Sequence, residues 1–272
     1  MNWQAVRTIV YKDLRVVSKS RMVILPMILV PLILLVIIPL IFGLIIINLD
    51  PASPDFAEFA ILLETVPLVV VAALNQFSLS QQVVIYLLTY FLAPMYLIVP
   101  IMAANVIAAD SFVGEKERKT LEALLYTPTS DTELYLGKVL APWLAALIVS
   151  FLGFIGYAIV VNIIGAPIVG SIFFPNLMWI ILALWVAPAA AGLGLASMVL
   201  VSSRMNTFQE AYQVGGLIVL PIVLLLLGQV FGVLFFSEGF VLLIGLVLWL
   251  IDAALLWLGA RQFVRGELLS RL

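Results

Sequence analysis

The chain has 272 residues, 65% of them hydrophobic and only 10% charged, with a formal net charge of −2. A soluble domain carries about 25% charged residues, so this composition excludes a water-soluble globule and is that of a polytopic membrane protein. The absence of Cys and His excludes disulfides, thiol or imidazole catalysis, and zinc held by those side chains, including the H-E-x-x-H site of a metalloprotease.

The first 21 residues are polar and basic and lack the short apolar core of a cleaved signal. Trp3, Val6, Val10, Leu14 and Val17 recur at helical spacing, with Thr8, Lys12, Arg15 and Lys19 opposite. This predicts an amphipathic interfacial helix over 1–21, lying in the plane of the cytoplasmic leaflet with its cations toward water and headgroups. It serves either to anchor the first span or as a surface lever for a cytosolic partner.

Six apolar stretches reach the ~20 residues needed to span a bilayer: 22–48, 83–109, 139–164, 175–201, 214–236 and 240–260. Several contain proline, which a span tolerates where neighbouring helices satisfy the freed carbonyls. The 49–82 segment is read as an outer one. Within it, 61–74 holds Glu64 and Pro67 and is short, which fits a re-entrant or interfacial segment. Sidedness supports six spans. Segments 1–21, 110–138, 202–213 and 261–272 then hold all 13 Lys and Arg, and the intervening segments hold none. By the positive-inside rule both termini and the 110–138 loop are expected in the cytoplasm.

That loop contains "GEKERKTLEALLYTP", with six charged side chains between Glu115 and Glu122. Glu115 with Lys119 and Arg118 with Glu122 are at i,i+4 spacing, worth about 0.2–0.5 kcal/mol each on a helix. Leu121, Leu124 and Leu125 give a small apolar face, and Pro128 ends the segment. "SDTE" at 130–133 is a capping box opening a new helix. By charge pattern alone the loop is either a solvated segment whose cations set topology or a docking element.

Further along, 187–197 ("APAAAGLGLAS") is rich in small residues and permits close helix approach. Asp252 stands inside the last span, about 13 Å from Arg261 along the helix. A carboxylate at that depth is either an ion or proton site or a hydrogen-bonded packing residue. Gln229 and Asn105 are further polar candidates for a substrate or ion pathway, or helix glue.

The loop sequence, followed by "LYLGKVL", resembles that of membrane subunits of type-two ATP-binding-cassette (ABC) exporters, nearest the sodium-exporter-like branch. The pattern E-K-E-x-x-T-L-E-x-L-L-x-[ST]-P is matched at Glu115, Lys116, Glu117, Thr120, Leu121, Glu122, Leu124, Leu125, Thr127 and Pro128. That family often has Gly where Lys119 stands, a departure read as carrying little weight on an exposed face. The resemblance implies an all-α integral membrane permease that pairs with a second copy. A cytosolic ATPase subunit would hold the ATP and Mg, and the 114–128 segment would be a coupling helix seated in it. It further implies Glu115, Glu117, Arg118, Thr120, Leu121, Glu122, Leu124, Leu125 and Pro128 as the coupling residues.

No G-x-x-x-x-G-K-[ST] sequence exists in the chain, so ATP chemistry is expected on another chain. No metal, cofactor or nucleic-acid partner is expected on this one. A secondary transporter or channel using Asp252 as its ion site is the rival class, although the two halves show no correspondence of the repeat type.

Overall fold

The computed structural model describes residues 1–61, 63, 66–67, 74–120, 129–202 and 204–262, which contain helix and no strand. We label the helices α1 (Trp3–Val17), α2 (Arg21–Asn48), α3 (Pro54–Ile61), α4 (Leu79–Glu117), α5 (Asp131–Val169), α6 (Leu177–Ser202), α7 (Phe208–Val230) and α8 (Glu238–Gln262). Six of them, α2 and α4 to α8, are long and apolar enough to cross a membrane. Most of the 61–74 segment lies outside the described residues.

The central helix is α4. In its most apolar stretch 78% of residues are buried, against 17% in α7 and in α8. It packs on α5 and α6 through an alanine-rich face, and α6 also packs on α8. Small residues allow these approaches. A Cβ on Gly194 of α6 would stand 2.5 Å from the backbone carbonyl of Ile101 on α4, so the two backbones touch there.

Both α4 and α5 have 39 residues, about 58 Å of helix, whereas the hydrocarbon core is about 30 Å thick. They therefore overrun the apolar stretches at both ends. α5 starts at the expected capping box, in which the Ser130 hydroxyl accepts from the Glu133 N–H and the Glu133 carboxylate accepts from the Ser130 N–H. It stops at Gly170, whose φ of +84° only glycine adopts without strain. The fifth apolar stretch, 214–236, is displaced. Its helix starts earlier, at Phe208, because Thr207 caps it through the Glu210 N–H. It ends at Val230, and Gly232 at φ +69° turns the chain so that Val233 and Leu234 both donate to the Gly228 carbonyl.

Three of the prolines leave a common mark. Wide π turns occupy Leu32–Ile37, Tyr86–Phe91 and Leu182–Val186, and Pro39, Pro94 and Pro188 follow them. A proline ring clashes with the carbonyl four residues earlier. That residue, 35, 90 or 184, sits in the π turn in each case, where the wider ladder gives the ring room. In α4 the opened turn is satisfied from three sides. The Tyr157 hydroxyl of α5 donates to the Leu88 carbonyl, the Trp179 indole of α6 to Thr89, and the Gln229 amide of α7 to Tyr90 at 2.8 Å. Tyr157 and Trp179 stack at 4.5 Å between centroids. Neighbouring helices thus satisfy the carbonyls around the proline, as the sequence analysis expects.

The N-terminal helix buries a face other than the expected one. Its buried residues are Val6, Ile9, Asp13 and Val17, while Trp3 is 63% exposed. Its contacts advance together with those of α5. The Asn2 N–H donates to Glu133, Ile9 fits against Gly137, and Val17 joins a cluster with Ala145 and Val106. α1 runs alongside the start of α5, and its buried side is fitted to protein.

Replacing Gln229 by Met removes the donor to the Tyr90 carbonyl. A loss of roughly 0.6–1.7 kcal/mol is expected, read as a lowered unfolding midpoint in detergent with the helical circular-dichroism spectrum unchanged.

Candidate coupling site and buried polar groups

At the end of the bundle where α1, the end of α4 and the start of α5 meet, four charges are packed together. Glu115, only 6% exposed, accepts from the Lys12 ammonium at 2.6 Å on Oε1 and from the Lys138 ammonium at 2.6 Å on Oε2. Lys12 also contacts Asp13 at 2.9 Å. Asp13 accepts from the Ser111 hydroxyl at 2.9 Å. Lys138, 0% exposed, donates to the Ser111 carbonyl at 2.6 Å and lies 5.4 Å from the Phe112 ring centroid. Two cations and two carboxylates therefore close on one another with no net charge left over. Burial pulls the Lys12 ammonium down, but Asp13 and Glu115 outweigh it and its pKa is raised from the ordinary lysine value.

The next residues reach outward from this node. Arg118 pairs with Asp110 at 2.9 Å, back along its own helix. Glu117 accepts from the Phe208 N–H at 2.8 Å and so caps the start of α7 from a different element. Lys116 reaches the Met205 carbonyl and the Asn206 side chain, each at 3.4 Å. The Thr120 N–H and hydroxyl both close on the Glu115 carbonyl. The loop before α7 is thus bound to the end of α4.

Several sequence expectations are corrected here. Glu115 does not pair with Lys119; it is turned inward to Lys12 and Lys138. Lys12 is not on a free polar face. The charged helix stops at Glu117, and Lys119 has φ +56°. That left-handed position favours glycine, which gives physical sense to the Gly often found there in the resembling sequences. Leu121, Glu122, Leu124, Leu125 and Pro128, expected as coupling residues, lie outside the described residues, as does the pairing of Arg118 with Glu122.

The three pathway candidates are not brought together, since each packs on a different partner. Gln229 serves the Tyr90 carbonyl and leaves its Oε1 without a partner. Asn105 is buried against Gly215 of α7. Asp252 is 2% exposed, on a helix that is otherwise mostly outward-facing, and its carboxylate fills the space over Gly192 of α6. Neither of its oxygens has a hydrogen-bond partner among the described residues. Among the described residues no acidic cluster has the make-up of a metal site.

Sequence reasoning missed Asp13, Ser111 and Asp110 and read Lys138 only as a topology signal. Asp13 offered a clue: it falls in register with Val6, Ile9 and Val17, on the buried face rather than the polar one.

Lys138→Met strands the Glu115 carboxylate beside one cation instead of two. A destabilisation of about 3 kcal/mol is expected, measured by chemical unfolding in micelles, with part of it recovered when Glu115→Leu is added. Lys119→Gly relieves the left-handed position and should gain up to about 1 kcal/mol in the same assay.

Residues 7–253 match the family model described as ABC-2 family transporter protein. Comparison with the curated proteins finds no match for the chain.

Proposed function

Because the chain belongs to the ABC-2 family of transporter membrane proteins, and is thereby a multi-pass permease subunit that associates with an ABC ATPase, we propose that it takes up the ATPase's stroke through residues 114–128. The observation that carries this reading is the double attachment at the end of α4. Glu115 binds α1 and α5 through Lys12 and Lys138, and Glu117 binds α7 through the Phe208 N–H. A displacement of this loop is thereby passed to three other helices. A loop that merely set topology would have no need of buried ion pairs, which are costly to assemble.

In this reading the basic end faces the cytoplasm, as the distribution of Lys and Arg supports. The ATPase meets Glu117, Arg118, Thr120 and the Leu121, Glu122, Leu124, Leu125 and Pro128 stretch. Two copies of the permease enclose the substrate path. ATP and Mg belong to the partner. The loop sequence supports the sodium-exporter-like branch, while the cargo follows from no residue described above.

One observation favours a second reading, a gradient-driven transporter: the unpartnered Asp252 carboxylate. The two readings diverge on whether this chain acts alone.

Co-expression with candidate ABC ATPase subunits, followed by affinity capture, separates them. Glu117→Ala combined with Leu121→Ala is expected to release the ATPase or to abolish cargo-stimulated ATP hydrolysis while the permease still inserts. Undiminished capture and transport in that double variant would sink the coupling role. Transport by the purified chain in vesicles lacking any ATPase would establish the second reading instead.

A further inference from the structure

We infer that the free face of α1 is a binding surface for anionic phospholipid headgroups, and that it ties the coupling node to the lipid composition of the membrane. Trp3, Arg7, Tyr11 and Arg15 follow one another at intervals of four, which places them in one stripe along the helix. All four are exposed, Trp3 by 63% and Tyr11 by 66%. This is not the apolar stripe that periodicity picks out. Val6, Ile9, Asp13 and Val17 are occupied by contacts with the rest of the protein, so the cation and aromatic stripe is what α1 offers to its surroundings.

Three observations point to headgroups. The first is charge. Arg7 and Arg15 have no acidic partner among the described residues, and neither do Lys19 and Arg21 just beyond them. The nearby carboxylates of Asp13, Asp110 and Glu115 are spent on Lys12, Ser111, Arg118 and Lys138, and that of Glu133 accepts from the Asn2 and Ser130 N–H groups. The surface is thus left with uncompensated positive charge.

The second observation is depth. Only Ser18, Lys19 and Ser20 separate the end of α1 from Arg21, where α2, the first helix long enough to cross the membrane, begins. The headgroup layer on each side is about 5–8 Å thick. The last turns of α1 are therefore held at the membrane surface, where Arg15 can extend its guanidinium on its aliphatic stem. The third is residue type. Trp and Tyr are the side chains that settle at this level, and guanidinium groups take phosphate oxygens two at a time.

The consequence follows from the neighbouring residues. Lys12 and Asp13, on the other side of the same helix, belong to the node that holds α4 and α5. A lipid that steadies α1 steadies that node. This last step rests on the coupling role proposed above; the lipid surface does not.

The test uses the full chain in nanodiscs of phosphatidylcholine alone or with phosphatidylglycerol added. Phosphatidylglycerol should be retained on the protein in native mass spectrometry, and brominated lipid should quench a component of the tryptophan emission that is absent from Trp3→Phe. Arg7→Gln with Arg15→Gln should weaken phosphatidylglycerol retention by roughly 30-fold, from about fivefold per cation, with helical content unchanged. Soluble glycerol phosphate should not compete. Equal retention by the variant, or competition by glycerol phosphate at micromolar levels, would overturn the surface. If the variant instead loses ATPase capture while its lipid retention is intact, the stripe is a protein contact and the inference fails. The coupling consequence is read separately. Phosphatidylglycerol should raise cargo-stimulated ATP hydrolysis in the parent and not in the variant, and lipid retention without that effect would refute only the coupling step.

Discussion

Glu115 is a buried carboxylate held by two lysines, one from each end of a long stretch of chain. Lys12 is 103 residues before it and Lys138 is 23 residues after it. Isolated, neither Glu115 nor Lys138 could be kept from water at such burial, because each would lose several kcal/mol of hydration, whereas Lys12 closes the set from its half-exposed rim. Together with Asp13 they form a neutral set, and Ser111 takes up remaining donor and acceptor capacity. This constraint fixes the relative position of α1, α4 and α5 at the basic end. Removing one partner is therefore unlike removing a surface ion pair, since the remaining charges keep their desolvation and lose their compensation.

The opposite half of the bundle is held by a different kind of interaction. There the centre of α4 is opened by Pro94, and donors from α5, α6 and α7 converge on three successive carbonyls. Charge matching organises one half and backbone satisfaction the other. Between them α4 and α6 meet through Gly194 and alanines with little side chain intervening. The permease thus has two firmly specified ends joined by a smooth seam.

Much of the architecture was legible because hydrocarbon dictates it. Length and apolarity locate the spans, and the capping box at Ser130 to Glu133 marks the start of α5 at the residue level. The ends of the helices were less legible, because α4 and α5 continue as protein-packed helix well past their apolar stretches. The site was legible as a segment but not as a set of contacts. Neighbouring charges such as Glu115 and Lys119 invite local pairing, whereas the observed partners are distant in sequence, and nothing in a single chain reports that distance. Periodicity identified α1 as a helix, yet the true buried face includes Asp13, which a hydropathy pattern assigns to solvent. The left-handed Lys119 did leave a trace, in the glycine of resembling sequences, but it became interpretable only with the backbone angle in hand.

The shallow burial of α7 and α8 bears on how the protein is made. α4, α5 and α6 supply most of the interior, and the last member of the charge cluster, Lys138, precedes the nearer of the two outer helices by some seventy residues of chain. During synthesis the node can therefore close while the C-terminal third is still inside the ribosome or the insertion machinery. Those last two helices join a scaffold already assembled, and a translation product truncated after α6 would retain its charge cluster intact.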